Sequence, residues 1–248
     1  AKEKCQYAYW MGQPLTELEA EMATYSQVIK NFKQGIPLMS LQIFHQAVLN
    51  LLVKTENPCQ LVGEAFNESD SLPLLIKSNY RTAIFNFYLN KLILCYLFNE
   101  HGQGLQNAEL AKLYLDGVTG NIVVPVYYFY DSMVRLAVYV DADKSQQDAL
   151  LKQVTENQIK MQQWAHHAPM NFLHKFYLVE AERQRILKEN VEAMENYDRA
   201  ISIAKQNEYI HEEALANELA AKFYQAWGKE KIASVYMNDA RYCYTLWG

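Results

Sequence analysis

The residues richest in reactive groups run from Trp164 to Arg185. Trp164-Ala165-His166-His167-Ala168-Pro169-Met170 is followed by His174, Tyr177, Glu180, Arg183 and Arg185. Imidazoles near a carboxylate can bind a transition metal or titrate close to neutral pH. His166, His167 and His174 with Glu180 therefore define one candidate patch, and Trp164 and Tyr177 extend it as candidates for an interaction or ligand surface. The histidine spacings of 1 and 7 residues match no standard zinc frame. Histidines near helix ends also bond orphan carbonyls without any ligand, so capping and inter-helix hydrogen bonding account for the same residues.

A second candidate is aromatic. Tyr127, Tyr128, Phe129 and Tyr130 form a block in a chain that holds 18 tyrosines. Tyr127, Tyr128 and Tyr130 could line a pocket for an apolar ligand or a concave peptide groove, or their rings could fill gaps between closely spaced helices. Motifs for chemistry are missing. Gly228-Lys229 lacks the upstream glycine of a phosphate loop, Gly102-x-Gly104 follows a helical pattern rather than a strand, and no Gly-x-Ser-x-Gly, His-Glu-x-x-His or kinase catalytic loop occurs. The expectation is a chain without catalytic residue, metal or cofactor.

The elements that carry these residues read as helices throughout. Leu15, Leu18, Met22, Tyr25, Ile29 and Phe32 step at helical spacing after Pro14, and Gly35 and Pro37 are expected to stop that helix. A second helix is expected from Leu38 to about Val53, and an irregular loop with a short helical turn from Lys54 to Ser71. Helix follows from Tyr80 to Asn99, breaks at Gly102 and Gly104, and resumes to about Leu115. Residues 122–139 form the next. Asp143 or Ser145 then caps a long helix with the stripe Leu150, Val154, Met161 and Trp164, interrupted by Asn157 and ended by Pro169. Four more are expected at about 171–188, 190–206, 209–227 and 229–246.

Two C-terminal stretches repeat each other at an offset of 40 residues: Ala181, Ala193, Tyr197 and Ala200 fall opposite Ala221, Ala233, Met237 and Ala240. Antiparallel helices approach closely only where side chains are small, and the larger residue fills the gap to the next hairpin. The fold class expected is all-α: a tetratricopeptide-like α-α superhelix of stacked antiparallel hairpins, forming a single helical-repeat domain over 1–248 with its clearest repeats at 171–207 and 209–248. Leu92, Gly104 and Ala111 echo the same spacing faintly. Half of the 248 residues are hydrophobic, and the net charge of −5 comes from mixed signs that leave no basic stripe for a phosphate backbone. Nucleic acid is not an expected partner. The most apolar segment, Ile122 to Val140, is interrupted by Pro125, Asp131 and Arg135 and reads as a buried solenoid helix, not a membrane span. Cys5, Cys59, Cys95 and Cys243 form no C-x-x-C pair and fit reduced thiols in a cytoplasmic protein.

Specific strings go further than periodicity. Asn57-Pro-Cys-Gln-Leu-Val-Gly-Glu-Ala-Phe66, Tyr88-Leu-Asn-Lys-Leu-Ile-Leu-Cys-Tyr-Leu-Phe98, Lys112-Leu-Tyr-Leu-Asp-Gly-Val-Thr-Gly120, Trp164-Ala-His-His-Ala-Pro-Met-Asn-Phe-Leu-His-Lys-Phe176 and Asn217-Glu-Leu-Ala-Ala-Lys-Phe-Tyr224 closely resemble the linker region of very large multi-sensor signalling kinases. These are common in cyanobacteria, with relatives among fungal hybrid histidine kinases. In that family a serine/threonine-kinase-like domain and an ATPase module precede such a region, and GAF sensor and histidine-kinase domains follow it. The resemblance spans essentially the whole chain and implies a fragment of a larger multidomain protein, a tetratricopeptide-like domain that binds a partner or carries a conformational signal. The partners it implies are the flanking ATPase, GAF sensor and kinase domains or another protein or peptide, with oligomers arising through the parent protein. It supplies no catalytic residue. The period of 40 exceeds the usual 34 of such repeats, and Lys205 stands where many of them place proline.

Overall fold

The computed structural model describes residues 2–31, 35–53 and 55–248. Among these, 12 α-helices and two short 3-10 turns carry the structure, and the only extended pairing is an isolated antiparallel bridge between Val62 and Asn67. The expected all-α fold of helices packed in adjacent pairs is what the chain adopts. It divides into two compact units, Ala1–Val134 and Arg135–Gly248.

The first unit contains α1 (Lys2–Trp10), α2 (Leu15–Asn31), α3 (Gly35–Leu52), α4 (Glu68–Lys77), α5 (Arg81–Leu97), α6 (His101–Lys112) and most of α7 (Val123–Val138). In α2 the stripe Leu15, Leu18, Met22 and Ile29 is buried as its spacing requires; Phe32 lies outside the described residues. The described part of α2 ends at Asn31, and α3 begins three residues before the expected Leu38, so that Gly35 and Pro37 lie in its first turn. A proline in a first turn loses no hydrogen bond, because N–H groups there have no intrahelical acceptor. Gly102 and Gly104 likewise sit inside α6 instead of breaking it. The reason at Gly104 is packing: a Cβ there would lie 2.9 Å from Val134 Cγ2 and 3.5 Å from Cys95 Cβ. Leu92, Gly104 and Ala111 are all buried, so the faint echo in the sequence marks another closely approached hairpin.

The loop before α4 is tied down by buried polar side chains. Gln46 Oε1 accepts the N–H groups of Ala65 and Phe66 at 3.1 and 3.2 Å, and Asn50 Nδ2 donates to the carbonyls of Pro58 and Gln60 at 3.0 and 2.6 Å. Leu61 and Phe66 are thereby held in a core with Ile43, Ala47, Leu75, Ala83, Ile84, Phe87 and Leu94. Helix α4 begins within the segment expected to be loop, because the Asn67 side chain accepts from Ser69 N–H and Glu68 and Asp70 favour a first turn. Lys54, the first residue assigned to that loop, lies outside the described residues.

The second unit contains α8 (Lys144–His167), α9 (Pro169–Leu187), α10 (Asn190–Gln206), α11 (Ile210–Ala226) and α12 (Glu230–Trp247), each packed on the next. Asp143 caps α8 in a capping box with Gln146. The last four helices lie within two residues of the expected bounds. Ala181, Ala193, Ala200, Ala221, Ala233 and Ala240 are all buried. Lys188 and Gly228, 40 residues apart, close the first helix of each hairpin in the left-handed conformation, with φ of 64° and 75°. Glycine adopts that conformation freely and lysine at a cost.

Gly104→Val should destabilise the chain by about 1–3 kcal/mol through overpacking. Adding Val134→Ala should restore part of that loss, which a double-mutant cycle by urea denaturation measures.

Candidate functional site

The polar residues that the fold brings together are not the ones the sequence groups. His166 and His167 are exposed in the last turn of α8, with rings 5.3 Å apart. His174 is buried on α9 and reaches instead to α11. Among the described residues no group of three or more His, Cys, Asp or Glu is placed to hold a metal ion. Trp164 is half-buried on α8, and Tyr177 is half-buried with the Arg199 guanidinium 5.5 Å from its ring centre.

The aromatic block is distributed over packing positions. Tyr127 is 1% exposed, donates its hydroxyl to the Ala108 carbonyl at 3.2 Å and sets its ring 5.8 Å from that of Phe85. Tyr130 is buried edge-on against Tyr96, and Tyr128 is half-buried. Gap filling describes Tyr127 and Tyr130.

The densest buried polar cluster lies where α9, α11 and α12 meet. His174, Lys175 and Glu212 are only 2%, 2% and 3% exposed. Glu212 Oε2 accepts from Lys175 Nζ at 2.6 Å and from His174 Nε2. Lys175 Nζ also lies 3.1 Å from the same His174 Nε2; a hydrogen bond from His174 to the carboxylate, which can only accept, requires the imidazole proton on Nε2. Lys175 also donates to the Asn171 carbonyl at 3.3 Å and stands 4.5 Å over the Tyr209 ring, whose hydroxyl donates to Asn171 Oδ1 at 3.1 Å. His211 stacks on Trp247 of α12 at 5.3 Å, with Nε2 3.6 Å from Glu212 Oε1.

Electrostatics follow from the burial. Desolvation pushes the Glu212 carboxyl up, but Lys175, His174 and His211 around it together outweigh this and hold it well below the usual range. Burial lowers the Lys175 ammonium, with Glu212 opposing. Burial and the neighbouring Lys175 lower His174, and burial drives His211 down to about 4. The cluster is thus a Glu212–Lys175 ion pair flanked by two neutral imidazoles. Closed to solvent, it binds α9 to α11 in a fixed register. Two further bonds repeat that register: Tyr209 to Asn171 and Tyr236 to Asp198 each span 38 residues, as His174 to Glu212 does.

Tyr197 occupies the gap between hairpins as its spacing implies. It is fully buried, its ring lies 5.4 Å from Phe223, and its hydroxyl donates to Glu182. Its counterpart Met237 lies in an open groove with Glu218, Ala240, Arg241 and Tyr244.

Sequence reasoning found His174 but missed Lys175, Tyr209, His211, Glu212 and Trp247. One signal was present: His174 and Lys175 stand one turn before Leu178 on the inward stripe of α9, as His211 and Glu212 do before Leu215 on α11. Charged residues at inward positions of two adjacent helices require partners. No family model, curated protein or solved structure matches the chain.

Lys175→Met should destabilise the chain by about 3–5 kcal/mol, because Glu212 is left charged and buried; adding Glu212→Leu should recover much of it, as urea denaturation would register. The pH dependence has a definite sign. The folded-state pKa of His211 is depressed to about 4 from its ordinary 6.5, so between these values the unfolded chain binds more protons than the folded one. Stability should fall as pH drops through that window, and below it Glu212 adds a loss of the same sign. His211→Phe should flatten the upper part of the profile in thermal melts taken from pH 7 to 4.

Proposed function

We propose that this chain is a non-catalytic protein-interaction and signal-relay domain, coupling ATPase and sensor modules of a multi-sensor signalling kinase. The observation that carries the reading is the open stacking face of the last hairpin. Hairpin α9 and α10 buries its stacking residue Tyr197 against Phe223. Hairpin α11 and α12 has the same register but leaves Met237, the equivalent residue, half-exposed in a groove. A face built for stacking is suited to receive another helical element.

The relay half of the proposal rests on the buried tie. A displacement of α11 relative to α9 would separate Glu212 from Lys175 in a low-dielectric interior, which is strongly unfavourable. The hairpins of this unit therefore move together, and load applied at one is transmitted to the next. The resemblance of Trp164–Phe176 and Asn217–Tyr224 to the kinase linker points the same way. Among the described residues no helix is long and apolar enough to cross a membrane, which agrees with a cytoplasmic placement.

The full chain, mixed with the ATPase and GAF sensor modules of a kinase of this type in calorimetry at two salt concentrations, should bind at least one of them. A chain shown to be folded by circular dichroism that binds neither would overturn the proposal.

A further inference from the structure

The 40-residue repeat provides an internal control for surface positions. In α10, Glu192, Glu195, Arg199, Ser202 and Gln206 form one exposed face. Forty residues on, α12 carries Ile232, Val235, Asp239, Tyr242 and Leu246 at the same positions. The four apolar members are 43%, 60%, 66% and 47% exposed. Polar side chains serve this face in one hairpin, so the hairpin fold itself does not require apolar ones in the other. An apolar stripe kept in water marks an interaction site.

Resting on the interaction reading above, we propose that this face of α12 docks an amphipathic helix of a partner protein whose own apolar seam carries a lysine or arginine at its middle. The stripe steps by 3, 4, 3 and 4 residues, the spacing of a seam that receives side chains of a facing helix as knobs into holes. Asp239 stands at its centre, exposed and without an ion-pair partner among the described residues. Covering that carboxylate with an apolar helix would strand a charge, so the occupant must bring a cation to it. A second copy of the chain does not meet this need: two-fold pairing about the stripe, parallel or antiparallel, sets Asp239 against Asp239. An anionic lipid surface is repelled by the same carboxylate. The face is distinct from the Met237 groove, which helical periodicity puts on the opposite side of α12.

The test uses the full chain and two fluorescent designed peptides of about three heptads, with leucine at every a and d position except a central a, which is lysine in one and glutamate in the other. In anisotropy titrations the lysine peptide should bind about tenfold or more tightly than the glutamate peptide, a clear margin on the affinity scale. Ile232→Glu, Val235→Glu, Tyr242→Ser and Leu246→Gln together, the residues of α10, should abolish binding without lowering the melting temperature. Asp239→Lys alone should reverse the peptide preference, which keeps the test decisive if the fourfold variant folds poorly. Equal binding of the two peptides, or binding that survives the fourfold substitution in a folded chain, overturns the inference. So does a dimer in sedimentation, or adhesion to phosphatidylserine vesicles, that the fourfold substitution removes. The peptides contain no ATPase or sensor module, so failure here leaves the module titration standing, and module binding by the fourfold variant would place that contact elsewhere.

Discussion

Two helices can cross only as closely as the side chains between them allow, and close crossing at small residues is the constraint on which the hairpins described here depend. Ala181, Ala193 and Ala200 in one pair, Ala221, Ala233 and Ala240 in the next, and Gly104 with Ala111 in the first unit are buried at such crossings. Small contact residues bring the backbones together over a long stretch, so dispersion and apolar burial accumulate along the crossing. Larger side chains then have defined places. Tyr197 fills the gap that its alanine neighbours open and reaches Phe223 of the following hairpin.

Alanine contacts alone do not choose a register, because one methyl packs much like another. Directional bonds do. The pairs Asn171 with Tyr209, His174 with Glu212 and Asp198 with Tyr236 all span 38 residues, although the repeat itself spans 40. These bonds between hairpins thus join positions two residues away from strict repeat equivalence. The buried ion pair makes that offset costly to change, since sliding either helix would leave Glu212 or Lys175 charged and unpaired.

This division of labour shapes the functional reading. The charged groups with the most perturbed environments in the second unit lie inside a junction, at 2–3% exposure, where they order helices. The features presented outward are shape and apolarity: the groove beside Met237 and the stripe from Ile232 to Leu246. On the proposed interaction reading, these outward surfaces are the ones that would meet a partner.

Much of the fold is legible in the amino-acid sequence. Helical stripes, a cap at Asp143 or Ser145, the bounds of the last four helices and the inward alanines were all legible in the chain, because these signals act within a turn or a hairpin. Gly102 and Gly104 do not break α6, and Gly35 and Pro37 belong to the first turn of α3 rather than to the break before it, because composition does not distinguish a helix-breaking glycine or proline from one tolerated in a first turn or demanded by a close neighbour such as Val134. The candidate site was legible only at His174. Local pattern alone sufficed to place most of the helices and the side of each that turns inward. Which inward polar groups meet was set by the packing of helices distant in the chain, which draws His174 away from His166 and His167 and onto Glu212. Local pattern sets the face a residue points to, but how one hairpin nests on the next is chosen by packing and buried charge together.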